Sequence, residues 1–288
     1  MNNKSLSIVL GLLTIILWGS IATFGRLLIH LPPFYILGTA FFFGGLLSLR
    51  KPREIFQNLK VFIWGVAGFF GYHFFLFYSF RYAPAVEANL INYLWPIIMV
   101  FLSPVFFPGE KLRWYHFTGA ALAISGCVVL MAGKTGEMSI DGSKGYILAM
   151  LAALSWPIYS LGKKKLPKTT VWAVGGFCFG ASLLCFLTHF MIEPRVAFHG
   201  PDMIKLVFMG LGPFGLAFFF WDRALEIGDP RILGALAYLT PVISTLGLIS
   251  FTEETLSGNA LWSMILIIGG ASLGLCDFLP IFKKTDRI

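Results

Sequence analysis

Of the 288 residues, 57% are hydrophobic and only 12% charged, with 22 Lys and Arg against 14 Asp and Glu. An ordinary globular domain carries about 25% charge, so the composition excludes soluble, disordered, collagenous and disulfide-rich secreted classes and predicts an all-α integral membrane protein. The surplus of +8 then reads as basic cytoplasmic loops rather than a nucleic-acid surface.

Apolar runs separated by charged residues and by Gly or Pro breaks predict ten transmembrane helices. They fall at 8–29, 34–50, 61–80, 85–106, 114–132, 145–162, 170–191, 203–221, 231–251 and 257–280. Helix one carries Trp18 followed by Gly19. Helix three repeats Gly65, Gly68 and Gly71 at every third residue, a pattern suited to close helix approach, and continues with Tyr72, His73 and Tyr78. His73 lies well inside a span, where an ionisable group is a functional candidate; a buried neutral imidazole bonded to a neighbour is the alternative. In helix four, Asn89, Asn92 and Trp95 share one face at three-residue spacing, with Tyr93 and Pro96 beside them.

After helix five comes the hydrophilic stretch around Gly133–Lys144. Helix six places Trp156 before Pro157, and helix seven has Gly176 and Gly180 in a G-x-x-x-G. Helix eight contains Pro213 and ends near Asp222. Helix nine holds Tyr238, Pro241 and Ser244, and helix ten reaches Asp277. Trp and Tyr favour membrane interfaces. Trp64, Trp114, Trp172, Trp221 and Trp262 fit that belt, each within about a turn of a predicted helix end. Trp18, Trp95 and Trp156 do not. They sit at helix centres, where lipid offers the indole N–H no partner, so they either pack between helices or line a central cavity.

Lys and Arg divide sixteen to six between the two sides of the predicted topology, which places both termini in the cytoplasm. The halves also resemble each other. Tyr93-Leu94-Trp95-Pro96 matches Tyr238-Leu239-Thr240-Pro241, 145 positions on. Glu110-Lys111-Leu112 matches Glu254-Thr255-Leu256, and Gly126 matches Gly270, at an offset of 144. Trp18-Gly19 matches Trp156-Pro157. Five helices per half invert the second copy in the membrane, and a site is then expected at the repeat interface near the midplane. The predicted organisation is a first five-helix repeat at 1–133, a linker at 134–144 and a second repeat at 145–288.

These features, with the Trp18-Gly19-Ser20 triplet and the Glu-Lys-Leu after helix four, resemble the drug/metabolite transporter superfamily, EamA type. The Asn89–Pro96 segment and the aromatic richness are most similar to its bacterial aromatic amino acid exporter branch. The resemblance implies an inner-membrane carrier that moves small metabolites outward by alternating access, in that branch aromatic and other neutral amino acids and related compounds.

Read from the residues, His73, Tyr78, Asn89, Tyr93, Trp95, Trp156, Tyr238 and Ser244 are the candidate substrate-binding side chains. Pro96, Pro157 and Pro241 are the candidate hinges, static kinks being the alternative. No acid falls at a predicted midplane, so facilitated movement is expected rather than proton coupling, with His73 and Glu87 as the groups to watch. The lack of a basic cluster argues against phosphorylated substrates and for a neutral or zwitterionic one with an apolar side chain. Neither cofactor, metal nor nucleic acid is called for, and no enzyme motif is found; a monomer in the lipid bilayer suffices to enclose the site. A proton-coupled exporter of the same fold and a channel are the competing functions.

Overall fold

The structure is a computed structural model that describes residues 3–83, 88, 91–109, 111–132, 142–196, 199–251 and 258–274. Asn89, Glu87, Glu110, the Glu254-Thr255-Leu256 landmark, Asp277 and linker positions 134–141 lie outside these residues. All secondary-structure elements among the described residues are helical.

In chain order, α1 is Asn3–Leu27, α2 Pro33–Leu46, α3 Leu59–Ser79, α4 Trp95–Phe106 and α5 Trp114–Ala132. The second half contributes α6 (Gly142–Lys165), α7 (Ala173–Ile192), α8 (Gly200–Leu211), α9 (Ala217–Ile227), α10 (Pro230–Ala237), α11 (Thr240–Phe251) and α12 (Gly258–Gly274). Among the described residues, six stretches are long and apolar enough to cross a bilayer: Asn3–Leu27, Pro33–Arg50, Leu59–Ser79, Ser143–Lys165, Ala173–Ile192 and Gly200–Ile227. The last joins α8 to α9 through a π-helical turn at Gly212–Leu216, where Pro213 has no N–H to give the ladder. The chain is therefore a helical, multi-pass membrane protein.

Packing pairs the halves. α2 lies along α7, α5 along α12, and α4 against α10. The contact of α3 with α6 has its counterpart in α1 with α9, and that of α4 with α6 in α1 with α11. Inside lipid such contacts rest on close fit rather than on release of water, and small residues permit it. A Cβ on Gly65 would overlap the Phe177 ring of α7, and one on Gly68 the Tyr159 ring of α6, so α3 is pressed into both neighbours. Gly71, the third of that series, faces open space. Gly270 of α12 rests on the Gly119 carbonyl of α5.

The predicted helices at 85–106 and 231–251 are each interrupted. Residues 91–92 are helical, Tyr93 and Leu94 form a turn, and α4 starts at Trp95 with Pro96 in its first turn. Likewise α10 ends at Ala237, Tyr238 and Leu239 turn, and α11 starts at Thr240. Proline lacks the amide that would reach the carbonyl four residues back, so Asn92 and Ala237 lose their helical partners. Tighter bonds carry the chain across, from Leu94 N–H to Ile91 O (3.1 Å) and from Leu239 N–H to Leu236 O (2.9 Å). The breaks are neighbours: a Cβ on Gly234 of α10 would stand 3.1 Å from the Pro96 carbonyl.

Side chains tie the bundle at both faces. At the N-terminal face Ser48 Oγ donates to Trp172 O at 2.7 Å. At the opposite face Glu193 accepts the backbone amides of Phe34 (3.0 Å) and Tyr35 (3.3 Å) in the first turn of α2. An anion there suits a helix N-terminus. His189 Nδ1 lies 2.9 Å from the same carboxylate, with both side chains buried.

Candidate functional site

A cavity of about 460 Å³ opens between the halves, within the range typical of small-molecule sites. Its closed end is a layer of tryptophans. Trp18 of α1 meets Trp156 of α6 edge-on at 5.4 Å between ring centroids and Trp95 of α4 at 6.2 Å. Trp221 of α9 lies behind them, 5.0 Å from Trp18 and 5.8 Å from Trp95. Trp221 is 1% exposed and donates its indole N–H to Ser160 Oγ at 3.1 Å. This corrects the sequence expectation of an interfacial Trp221. The helix there runs on to Ile227 instead of ending at 221, so the ring sits one and a half turns inside. Trp114 and Trp262, at 72% and 62% exposed, remain on the outer surface.

The walls are aromatic with a few neutral polar groups. α3 supplies Tyr72 and His73, the segment before α4 supplies Asn92 and Tyr93, and α11 supplies Thr240 and Ser244. His73 Nδ1 is 2.7 Å from the Phe69 carbonyl. A carbonyl only accepts, so Nδ1 carries the proton and the imidazole has Nε2 left for the cavity. Phe41 meets the ring edge-on at 5.0 Å and Phe214 flanks it at 5.3 Å. Asn92 Nδ2 donates to the Tyr72 hydroxyl at 3.1 Å, joining the two walls. None of the described lining side chains is a Lys, Arg, Asp or Glu. The mouth is formed by Ile29, Leu31, Pro33 and Phe80, at the face opposite the N-terminus.

Five of the candidate residues, His73, Tyr93, Trp95, Trp156 and Ser244, line this one space. Tyr78 stands at the depth of the lining residues Phe77 and Phe80 but is not part of the wall; it is stacked on Phe74 at 5.3 Å and hydrogen bonded with Tyr82 at 3.4 Å. Tyr238 packs instead with Ala123 and Ile267, at the contact with α5 and α12. Pro96 follows Trp95 in the first turn of α4, Pro157 follows Trp156 inside α6, and Pro241 lies in the first turn of α11. Sequence reasoning did not single out Thr240, Phe214 and Phe218. Thr240 carried a signal, because the 145-residue offset sets it opposite Trp95.

An aromatic chamber with no Lys, Arg, Asp or Glu among its described lining side chains, inside a membrane bundle of paired halves, fits a transporter of small molecules. The chain belongs to the EamA-like transporter family, which its residues 5–132 and 143–275 each match. It is 34% identical over 280 residues to the aromatic amino acid exporter YddG of Ancylobacter novellus, covering 94% of this chain and 97% of that one. With the YddG exporter of Escherichia coli it shares 29% identity over 212 residues, 69% of each chain. A solved crystal structure at 35% identity superposes with a TM-score of 0.86, covering 94% of this chain and 96% of the other.

Proposed function

We propose that this protein exports aromatic and other neutral amino acids across the bacterial inner membrane by facilitated, alternating access. The observation that carries it is the cavity: ring faces and neutral hydrogen-bonding groups, with no charged side chain among the described lining residues. Such a chamber favours a flat apolar side chain and can offer an amino acid's ammonium and carboxylate the Asn92, Thr240, Ser244 and indole groups. Trp95, Trp156, His73, Tyr93 and Ser244 are the binding residues in this scheme, while Tyr78 and Tyr238 act at one remove.

Ten membrane helices in two inverted five-helix repeats, 1–133 and 145–288 around a linker, fit the exchanged packing pairs and the two broken helices at matching positions, a recurrent device of inverted-repeat carriers. The basic-loop bias places the N-terminal face, and with it both termini, in the cytoplasm. On that orientation the cavity opens outward, and the tryptophan layer closes the inner side. A single chain encloses the whole site, so a monomer suffices.

The test is flux of radiolabelled phenylalanine, tryptophan and threonine through the purified protein in liposomes, with and without a pH gradient. Saturable exchange indifferent to the gradient is expected. Flux that needs the gradient would replace facilitation by proton coupling and direct attention to His73. No flux of any amino acid would overturn the substrate class.

A further inference from the structure

Behind the closed end of the cavity lies an ion pair that nothing in the aromatic chamber requires. Lys163 Nζ, in the last turn of α6, stands 3.3 Å from Asp222 Oδ1 of α9, and the side chains are 10% and 8% exposed. Asp222 directly follows Trp221, which packs on Trp18, Trp95 and Trp156. The pair therefore sits immediately beneath the tryptophan layer, on the N-terminal side. Lys164 adds a bond to the Gly228 carbonyl at 2.6 Å. The end of α6 is thus fastened to α9 where the bundle is shut.

The repeat supplies a comparison within the same molecule. The offset that sets Trp18 opposite Trp156 sets Gly25 opposite Lys163, and the offset of 144 to 145 sets Phe77 and Tyr78 opposite Asp222. Gly25 and Phe77 line the open cavity. Equivalent positions are thus uncharged and face the cavity at one end, and are joined as an ion pair at the other. We propose that Lys163 and Asp222 form the latch of the inner gate, which parts whenever the N-terminal face opens to admit substrate. The proposal rests on the carrier function above.

An ion pair suits that duty. Burying two charges costs about as much as their attraction returns, and both ions regain water when the gate opens, so the pair fixes the closed geometry yet releases easily. Removing one partner leaves a lone charge buried in the closed state, a strain that opening relieves. Removing both leaves no such charge. A latch therefore predicts a non-additive pattern that a merely structural contact would not give.

The experiment uses the full chain in lipid nanodiscs, its native cysteines replaced. Nitroxide labels are carried by Lys165→Cys and Arg223→Cys, both exposed at the N-terminal face, and the label separation is measured by pulsed electron resonance. Lys163→Met alone and Asp222→Leu alone should each raise the open-to-closed ratio at this face by about a hundredfold or more. The double variant Lys163→Met/Asp222→Leu and the swapped pair Lys163→Asp/Asp222→Lys should both return to the closed, short-distance population. Single variants that leave the distances unchanged, or a double variant as open as the singles, would overturn the latch. If the singles do not fold, an open swapped variant overturns it and a closed one that exchanges amino acid upholds it. Exchange by the wild-type chain separates the two claims. Its absence sinks the carrier function, whereas exchange with distances indifferent to the substitutions sinks the latch alone.

Discussion

Replacing Pro96 by Ala should slow transport far more than it weakens binding. In the structure Pro96 stands in the first turn of α4, after the two-residue turn at Tyr93 and Leu94. It has no amide for the Asn92 carbonyl, so the chain can flex there without breaking a helical bond. Alanine restores that donor and lets the helix run through. One backbone bond of this kind contributes about 1 kcal/mol net, close to a fivefold factor in rate if it must open in each cycle. Pro241→Ala in α11 removes the matching break before the Ala237 carbonyl. If the two act independently, the double variant slows by about twentyfold or more. Counterflow of labelled phenylalanine in liposomes gives the rate, and equilibrium binding to the same preparations gives the affinity. Rate and affinity falling together, or an unchanged rate, would refute hinging and leave the prolines as fixed kinks.

Four further outcomes are expected. Trp95→Ala or Trp156→Ala should raise the KM for phenylalanine and tryptophan about two- to tenfold, since each lost ring face is worth about 0.5–1.5 kcal/mol, and should raise that for threonine less; equal losses for all three would argue against a stacking role. Gly68→Val should lower the thermal midpoint and the folded yield because its side chain would collide with the Tyr159 ring, whereas Gly71→Ala, facing open space, should leave both unchanged in a detergent melting assay. Glu193→Gln should weaken the cap on α2 by about 0.5–2 kcal/mol, seen as a drop of several degrees in the same melt and as faster amide exchange at Phe34 and Tyr35. Trp221→Phe, which loses the bond to Ser160 but keeps a ring under the cavity, should cost about 1 kcal/mol of stability and little substrate affinity, as melting and binding measurements on one preparation would show.

The membrane class was legible at once, because few charges and long apolar runs leave no soluble alternative. Trp18, Trp95 and Trp156 were equally readable as a group, since a mid-span indole must find its partner inside the protein. The helix interruptions were harder. Both halves of a broken helix are equally apolar, so hydrophobic periodicity has nothing to register a two-residue turn, and only Pro96 and Pro241 hinted at it. Trp221 was misplaced for a related reason: Asp222 and Arg223 looked like a helix end, yet Asp222 is taken inward by Lys163 and the helix continues. Tyr238 shows a different limit. Its match to Tyr93 speaks of repeated backbone, whereas side-chain direction depends on which neighbour packs there, and α5 and α12 claim Tyr238.

The two interruptions also divide the membrane into storeys. A twelve-residue helix such as α4 or α11 rises about 18 Å, little more than half of the ~30 Å hydrocarbon layer. α4 descends toward the N-terminal face, where Lys165 lies over Phe106. α11 runs the other way, with Gly247 against Thr23 near the far end of α1. Each short helix thus serves one leaflet, partnered by α6 below and by α1 above. The arrangement is that of a canal lock: two doors hung on separate posts around one chamber. A substitution confined to either short helix should then disturb passage at one bank while the other door keeps its swing.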